Sequence, residues 1–226
     1  MKILIIRFSS LGDIVLTSPV PRLIKKRFAN SEIHFLTKKI YSDIYLNNIN
    51  IDKIYLFDRN FFQLYNKLKN NNYDLIIDLH NNIRSFFLRK LLRIKSIVYN
   101  KNRLKRWLIV NLKFKFKIPH IVDSYIETLS YFNIKNDSKG LDYFLTENDF
   151  NILDSLPKSH RKEFVVLVVG AKHKTKVLPR NKLIELCDKI NKPIILIGGK
   201  LEIKSSIEIE NYFNKSKTKS KELKLQ

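Results

Sequence analysis

The sequence predicts an α/β fold on a parallel sheet, and three observations carry that prediction. Short apolar runs with buried-strand character recur, among them "KILIIRF" (2–8), "YDLIIDLH" (73–80) and "PIILIGG" (193–199). Between them lie segments whose apolar residues return at helical spacing, such as Val20, Leu23, Ile24 and Phe28. The two kinds alternate along the chain, as in a sheet covered by helices on both faces.

In order, "KILIIRF" is the first strand, and a helical segment runs on from Gly12, where Pro19 and Pro21 should kink or split it. "SEIHFLT" (31–37) reads as a strand, "YSDIYLNN" (41–48) as a short helix and "IDKIYLFD" (51–58) as a strand. "FFQLYNKLKN" (61–70) is helical, "YDLIIDLH" is the clearest strand after the first, and "IRSFFLRKLLR" (83–93) is helical again. "KSIVYN" (95–100) is a further strand and "HIVDSYIETLSYF" (120–132) a helix. The polar stretch 135–162 holds Gly140 and Pro157 and is expected to link a first domain, 1–134, to a second unit. That unit, 163–199, reads as strand ("EFVVLVVGA"), helix ("RNKLIELCDKIN") and strand ("PIILIGG"). The remainder, 200–226, starts helix-like and is expected to end as an irregular basic tail.

Composition narrows the class. The chain has 226 residues, 44% of them hydrophobic, which is enough to build a core. A single cysteine, Cys187, excludes an internal disulfide framework and suits a reducing compartment. No stretch is long and apolar enough to span a bilayer, and Arg7 interrupts the N-terminal apolar run, so a cytoplasmic protein is expected. The net charge of +22 suits an anionic partner, whether nucleic acid, phosphorylated substrate or membrane surface. A/T-rich coding, which favours Lys, Asn and Ile over Gly, accounts for the charge equally well, so it identifies no ligand by itself.

The turn after the first strand carries the most chemistry. G-x-x-x-x-G-K-[ST] and G-x-G-x-x-G are both absent, which leaves an ATPase or an ordinary dinucleotide site without support. What stands there is "SSLGD": hydroxyls at Ser9 and Ser10, the flexible Gly12 and the carboxylate of Asp13 at a helix start. Ligands of open α/β sheets bind beyond the carboxyl ends of the strands, where this turn lies. An acid at a helix N-terminus is also a cap, and position alone leaves both readings open.

"KILIIRFSSLGDIVLTSPVPRLIKKRF" resembles the opening of glycosyltransferase family 9, the ADP-heptose:lipopolysaccharide heptosyltransferases. The resemblance continues through "YDLIIDLHNNIRS" and "HIVDSYIETL" and resumes at "GAKHKTKVLPRNKLIELCDKINKPIILIGG". It implies a GT-B-like fold: a complete N-terminal Rossmann-like domain that takes the acceptor, then the first strand–helix–strand of a second, which takes the nucleotide-sugar. It implies inverting transfer of a heptose or related sugar from an ADP-sugar to the lipopolysaccharide core, with no metal and no cofactor beyond the donor. Asp13 stands where the family has its proposed general base, facing the interdomain cleft. An attacking hydroxyl needs its proton removed, and a helix start would keep Asp13 ionised and fixed.

The same resemblance suggests that Ser9, Ser10, Gly12, His80, Arg84 and His120 line the acceptor side, and that Thr175 and Lys176 meet the donor phosphates. Arginine suits bidentate phosphate contacts, and a cation at Lys176 would stabilise the leaving diphosphate. The plainer readings are a loop network for His80, an exposed helix arginine for Arg84, a helix-start histidine with Asp123 capping for His120, and a solvated loop lysine for Lys176. Val177 departs from the family, where a basic residue is common. Residues 101–117, "KNRLKRWLIVNLKFKFK", mix seven basic residues with apolar ones. They suit an anionic lipid acceptor at the inner membrane face, nucleic acid, or an amphipathic segment with solvated lysines. No nucleic-acid motif accompanies them.

The family's D-[TS]-G-x-x-H string is missing, and the likeness fades after Gly199 into "NKSKTKSKELKLQ", a run that A-rich DNA gives out of frame. The expectation is a truncated or frameshifted transferase with little or no activity, or a non-catalytic glycolipid-binding half completed by another chain.

Overall fold

The computed structural model describes residues 1–171, 174–199, 202–215 and 223–225. It divides into two compact units, Met1–Leu145 and Thr146–Gln226.

The first unit is a doubly wound α/β domain. Its strands are β1 (Lys2–Ile6), β2 (Glu32–Lys38), β3 (Lys53–Phe57), β4 (Leu75–Asp78) and β5 (Ser96–Val98). They pair in parallel in the order β3-β2-β1-β4-β5. β1 alternates between two cores. Ile3 and Ile5 join Val20, Leu23 and Ile24 of α2 (Pro19–Arg27) and Tyr125 of α6 (Ile121–Ile126). Leu4 and Ile6 join Leu64 and Leu68 of α3 (Phe61–Lys69) and Leu88 of α4 (Ile83–Leu92). Burial on both faces is why β1 reads as continuous apolar sequence.

The first helical segment splits as its prolines require. α1 (Leu11–Val15) stops, and α2 begins at Pro19. Both prolines fall in the first turn of α2, where a missing N–H costs nothing. The segment 41–48 is a 3₁₀ turn over Lys39–Tyr45, and 120–132 is α6 followed by 3₁₀ over Glu127–Phe132. α5 (Arg103–Leu112) lies in the basic segment 101–117.

The stretch 135–162, expected as a linker, is divided between the units. Arg22 on α2 pairs with both Asp137 and Asp142, and the Asp142 amide donates to Ser18 Oγ at 2.9 Å. Those contacts bind residues up to Leu145 to the first unit. From Thr146 the chain forms α7 (Glu147–Phe150) and two short 3₁₀ turns, burying Leu156 and His160.

The second unit contains β6 (Val165–Val168), α8 (Arg180–Lys189), β7 (Ile194–Ile197), α9 (Ile203–Lys215) and β8 (Leu223–Leu225), with parallel strand order β6-β7-β8. The irregular tail expected over 200–226 is therefore corrected. Ile209 and Phe213 give α9 an apolar face, which packs on Cys187, Leu183, Ile194 and Leu196. Residues 216–222, in the Lys/Ser run, lie outside the described residues.

Cys187 is fully buried in that cluster and is the sole cysteine. Phe213→Ala should remove about 3–5 kcal/mol of packing, a typical cost for truncating a buried aromatic ring. It should also accelerate labelling of Cys187 by a thiol reagent. An unchanged labelling rate would mean that α9 does not cover this cluster.

Candidate active site

The strand order turns back at β1. The chain runs outward from β1 to β2 and β3, then crosses to β4 on the other side. The carboxyl ends of β1 and β4 therefore lie side by side and open a crevice, the usual ligand position in such sheets. "SSLGD" leaves β1 and "LHNNIRS" leaves β4 at that edge.

Asp13 sits in the first turn of α1 with its side chain about one-third exposed (35%). Its Oδ2 accepts three bonds: from the Ser10 hydroxyl at 2.7 Å, the Ser10 amide at 3.1 Å and Arg7 Nη2 at 2.7 Å. Asp13 is therefore a cap and an ion-pair partner together, and Oδ1 has no hydrogen-bond partner among the described residues. Burial, the largest influence, pushes its pKa up. The Ser10 bonds and the Arg7 charge together outweigh burial, and the carboxyl ionises below the ordinary range.

Arg7 is the organising residue that sequence reasoning passed over. It is only 6% exposed. Its Nη1 donates to the Leu79 carbonyl at 2.6 Å, and its guanidinium stacks on the Tyr125 ring at 5.5 Å. Arg7 Nε and the Tyr125 hydroxyl are buried without hydrogen-bond partners among the described residues. The available signal was a cation closing an otherwise apolar strand directly before the serine–glycine turn.

Asp78, fully buried at the end of β4, shapes the second loop. Its Oδ1 accepts from the amides of His80 and Asn81 at 3.0 and 2.8 Å, and its Oδ2 from Arg89 Nε at 2.9 Å. His80 stands edge-on to Phe8 at 5.4 Å, with Nδ1 buried and without a partner among the described residues. Burial first, then the charges of Arg7 and Lys101, push its pKa down to about 4, so at neutral pH it is uncharged and unfit to pair with phosphate as a cation. Arg84 is exposed and stacks over Phe57 at 4.6 Å and Phe8 at 5.7 Å. It lines a basic cavity of about 660 Å³ together with Lys38, Lys39, Asp58 and Arg59.

Of the other expected residues, Ser9 is half-buried in the same turn, and Gly12 is exposed. A Cβ on Gly12 would meet nothing within 4 Å, so the space beside it is open. His120 caps α6, its Nδ1 accepting from the Val122 amide at 3.4 Å. The cap is thus His120 itself, while Asp123 accepts from Asn136 at 3.0 Å. Thr175 and Lys176 are exposed in a 3₁₀ turn before α8, in the second unit. Among the described residues, no three His, Cys, Asp or Glu side chains group to hold a metal ion, and no helix is long and apolar enough to cross a membrane.

Two units in succession, each built on a parallel sheet, are the layout of the GT-B fold. Residues 61–217 match glycosyltransferase family 9 (heptosyltransferase), and the chain belongs to that family. It is 29% identical over 209 residues to lipopolysaccharide heptosyltransferase 1 of Campylobacter coli, covering 85% of this chain and 61% of that protein. Among solved structures, a glycosyl transferase family 9 protein of Veillonella parvula superposes with a TM-score of 0.74 at 17% identity, covering 99% of this chain and 69% of its own. An E. coli ADP-heptose lipopolysaccharide heptosyltransferase II gives 0.71 at 16% identity, covering 94% and 69%. An E. coli heptosyltransferase solved with ADP gives 0.69 at 18% identity, covering 100% and 75%. These structural likenesses establish the fold.

Two titrations test the electrostatics. Arg7→Gln removes the neighbouring cation, so the Asp13 pKa read by carboxyl NMR should rise. A depressed carboxyl contributes stability above its unfolded pKa and loses it as pH falls through the folded value. The acid destabilisation of the variant should therefore flatten. An unmoved Asp13 pKa would assign the depression to Ser10 alone. The His80 ring should show no protonation between pH 8 and 5, and a midpoint near 6.5 would contradict its buried, neutral state.

Proposed function

We propose that this chain acts in heptosyl transfer from an ADP-sugar to an acceptor of the lipopolysaccharide core, with the first unit holding the acceptor. The observation that carries the reading is Asp13: one oxygen held by Ser10 and Arg7, the other without a partner among the described residues, at the carboxyl edge of β1 beside open space at Gly12. The acceptor hydroxyl attacks the anomeric carbon as the bond from that carbon to the diphosphate oxygen breaks. The hydroxyl proton passes to Asp13, ADP leaves with the bonding electrons, and the configuration inverts. A carboxylate of lowered basicity suits a proton transfer that comes late, once the attacking oxygen has become acidic.

Arg84 and its basic cavity suit the phosphates of the acceptor, and Thr175 and Lys176 the diphosphate of the donor. The protein is assigned to the cytoplasm, at the inner membrane face where a lipid-linked acceptor is met.

A second reading is glycolipid binding without transfer. It is favoured by the fact that Asp13, Arg84 and the cavity all lie in the first unit.

Asp13→Asn separates the two. Transfer should fall by about 10²–10⁴, the usual worth of a positioned base, while the acceptor Kd measured by calorimetry stays within about threefold. Equal loss of transfer and binding would sink the base assignment. Tight acceptor binding with no turnover by the parent chain would favour the second reading.

A further inference from the structure

We propose that the α4–α5 side of the first unit docks on an anionic phospholipid bilayer, with α5 lying in the headgroup region. α5 contributes no buried residue to the domain. Leu104 (71% exposed), Trp107 (54%) and Val110 (75%) follow one another at intervals of three, which places them along one edge of the helix. Past its end the chain alternates lysine and phenylalanine, and the exposed rings of Phe114 and Phe116 stack at 5.7 Å on one side. α4 extends the same face, because its Ile83 and Phe87 line one cavity of about 640 Å³ with Arg103 and Leu104.

The sequence of this side carries one sign of charge. No Asp or Glu occurs between Leu79 and Val122, while Ile83–Lys117 contains twelve Lys and Arg residues. That combination selects the occupant. A second copy of the chain would bring two basic faces together. A nucleic acid would satisfy the cations but leave the apolar edge in water. An anionic bilayer presents phosphates directly above hydrocarbon, at the depth to which one helix face reaches. The inference deepens the glycolipid reading by naming the surface on which such an acceptor is met. It rests on that reading for its purpose and not for its geometry.

Trp107 is the only tryptophan, so its emission reports α5 directly. The purified chain should be mixed with vesicles of phosphatidylglycerol and phosphatidylcholine, and with phosphatidylcholine alone. With anionic vesicles the protein should co-sediment, and Trp107 should shift to the blue and be quenched by lipids brominated near the headgroup. Added salt should weaken binding. Leu104→Ser with Val110→Ser removes exposed apolar groups, and partition should fall by about tenfold or more while circular dichroism is unchanged. If the pair unfolds the domain, Val110→Ser alone should still reduce partition. Unchanged Trp107 emission on anionic vesicles, an equal shift with a DNA duplex, or undiminished binding by the serine variants would each overturn the proposal. The vesicles hold no glycolipid, so Asp13→Asn should bind them like the parent. Lost transfer with retained vesicle binding condemns only a step in transfer, and the reverse condemns only the docking face.

Discussion

Arg7 carries a full charge into a place where water barely reaches, at the carboxyl end of a strand buried on both faces. An unpaired guanidinium there would cost several kcal/mol, so the chain around it is arranged to answer its donors. Asp13 comes from α1, the Leu79 carbonyl from the end of β4 and the Tyr125 ring from α6. Three segments far apart in sequence are drawn to one point by one cation. The parallel register that sets Ile6 against Asp78 makes that convergence reachable, because residue 7 then lies beside residue 79.

The same contact sets the protonation state of Asp13. A carboxylate in a half-buried turn would drift towards neutrality, and a protonated acid cannot take a proton. Ser10 and Arg7 hold Asp13 ionised against that drift. The consequence is a weak base, fixed in direction, with one oxygen occupied and the other presented. In the transfer we propose, such a group would be poor at deprotonating a resting hydroxyl and suited to one already bonding to an electrophilic carbon. His80, next in the crevice, is pushed the other way by burial and by its cationic neighbours, and it remains neutral. Asp13 and His80, both at the β1–β4 edge, are therefore held in different charge states by their surroundings, one ionised and one neutral.

Positive charge is used in two distinct ways. Arg7, Arg22 and Arg89 are paired with Asp13, Asp137 and Asp142, and Asp78, and they tie loops to the sheet. The cations from Arg103 to Lys117 have no acidic residue near them in sequence and flank exposed apolar side chains. The first group serves the fold. The second leaves an unbalanced field over an apolar surface, an arrangement that stability alone would not favour.

Much of the fold was legible in local pattern. Every strand from β1 to β7 was visible as a run rich in apolar residues, most plainly β1 and β4, which are buried on both faces, although β2 also buries the polar His34 and Thr37. Asp13 was legible from its place at a strand-to-helix turn and from the family string around it. The division of 135–162 between the two units was not, since it turns on Arg22 reaching Asp137 and Asp142 across more than a hundred residues. The packing face of α9 was missed because its two anchors, Ile209 and Phe213, are diluted by charged neighbours. By itself, the sequence determined the alternation of strands and helices, the acidic turn and the sign of the charge, all of which are encoded within a few neighbouring residues. Only the tertiary structure decided that β1 and β4 are neighbours, that Arg7 is buried against Asp13, and that α5 is left outside both cores. Each of these depends on which distant segments bury one another, and local periodicity carries no record of that choice.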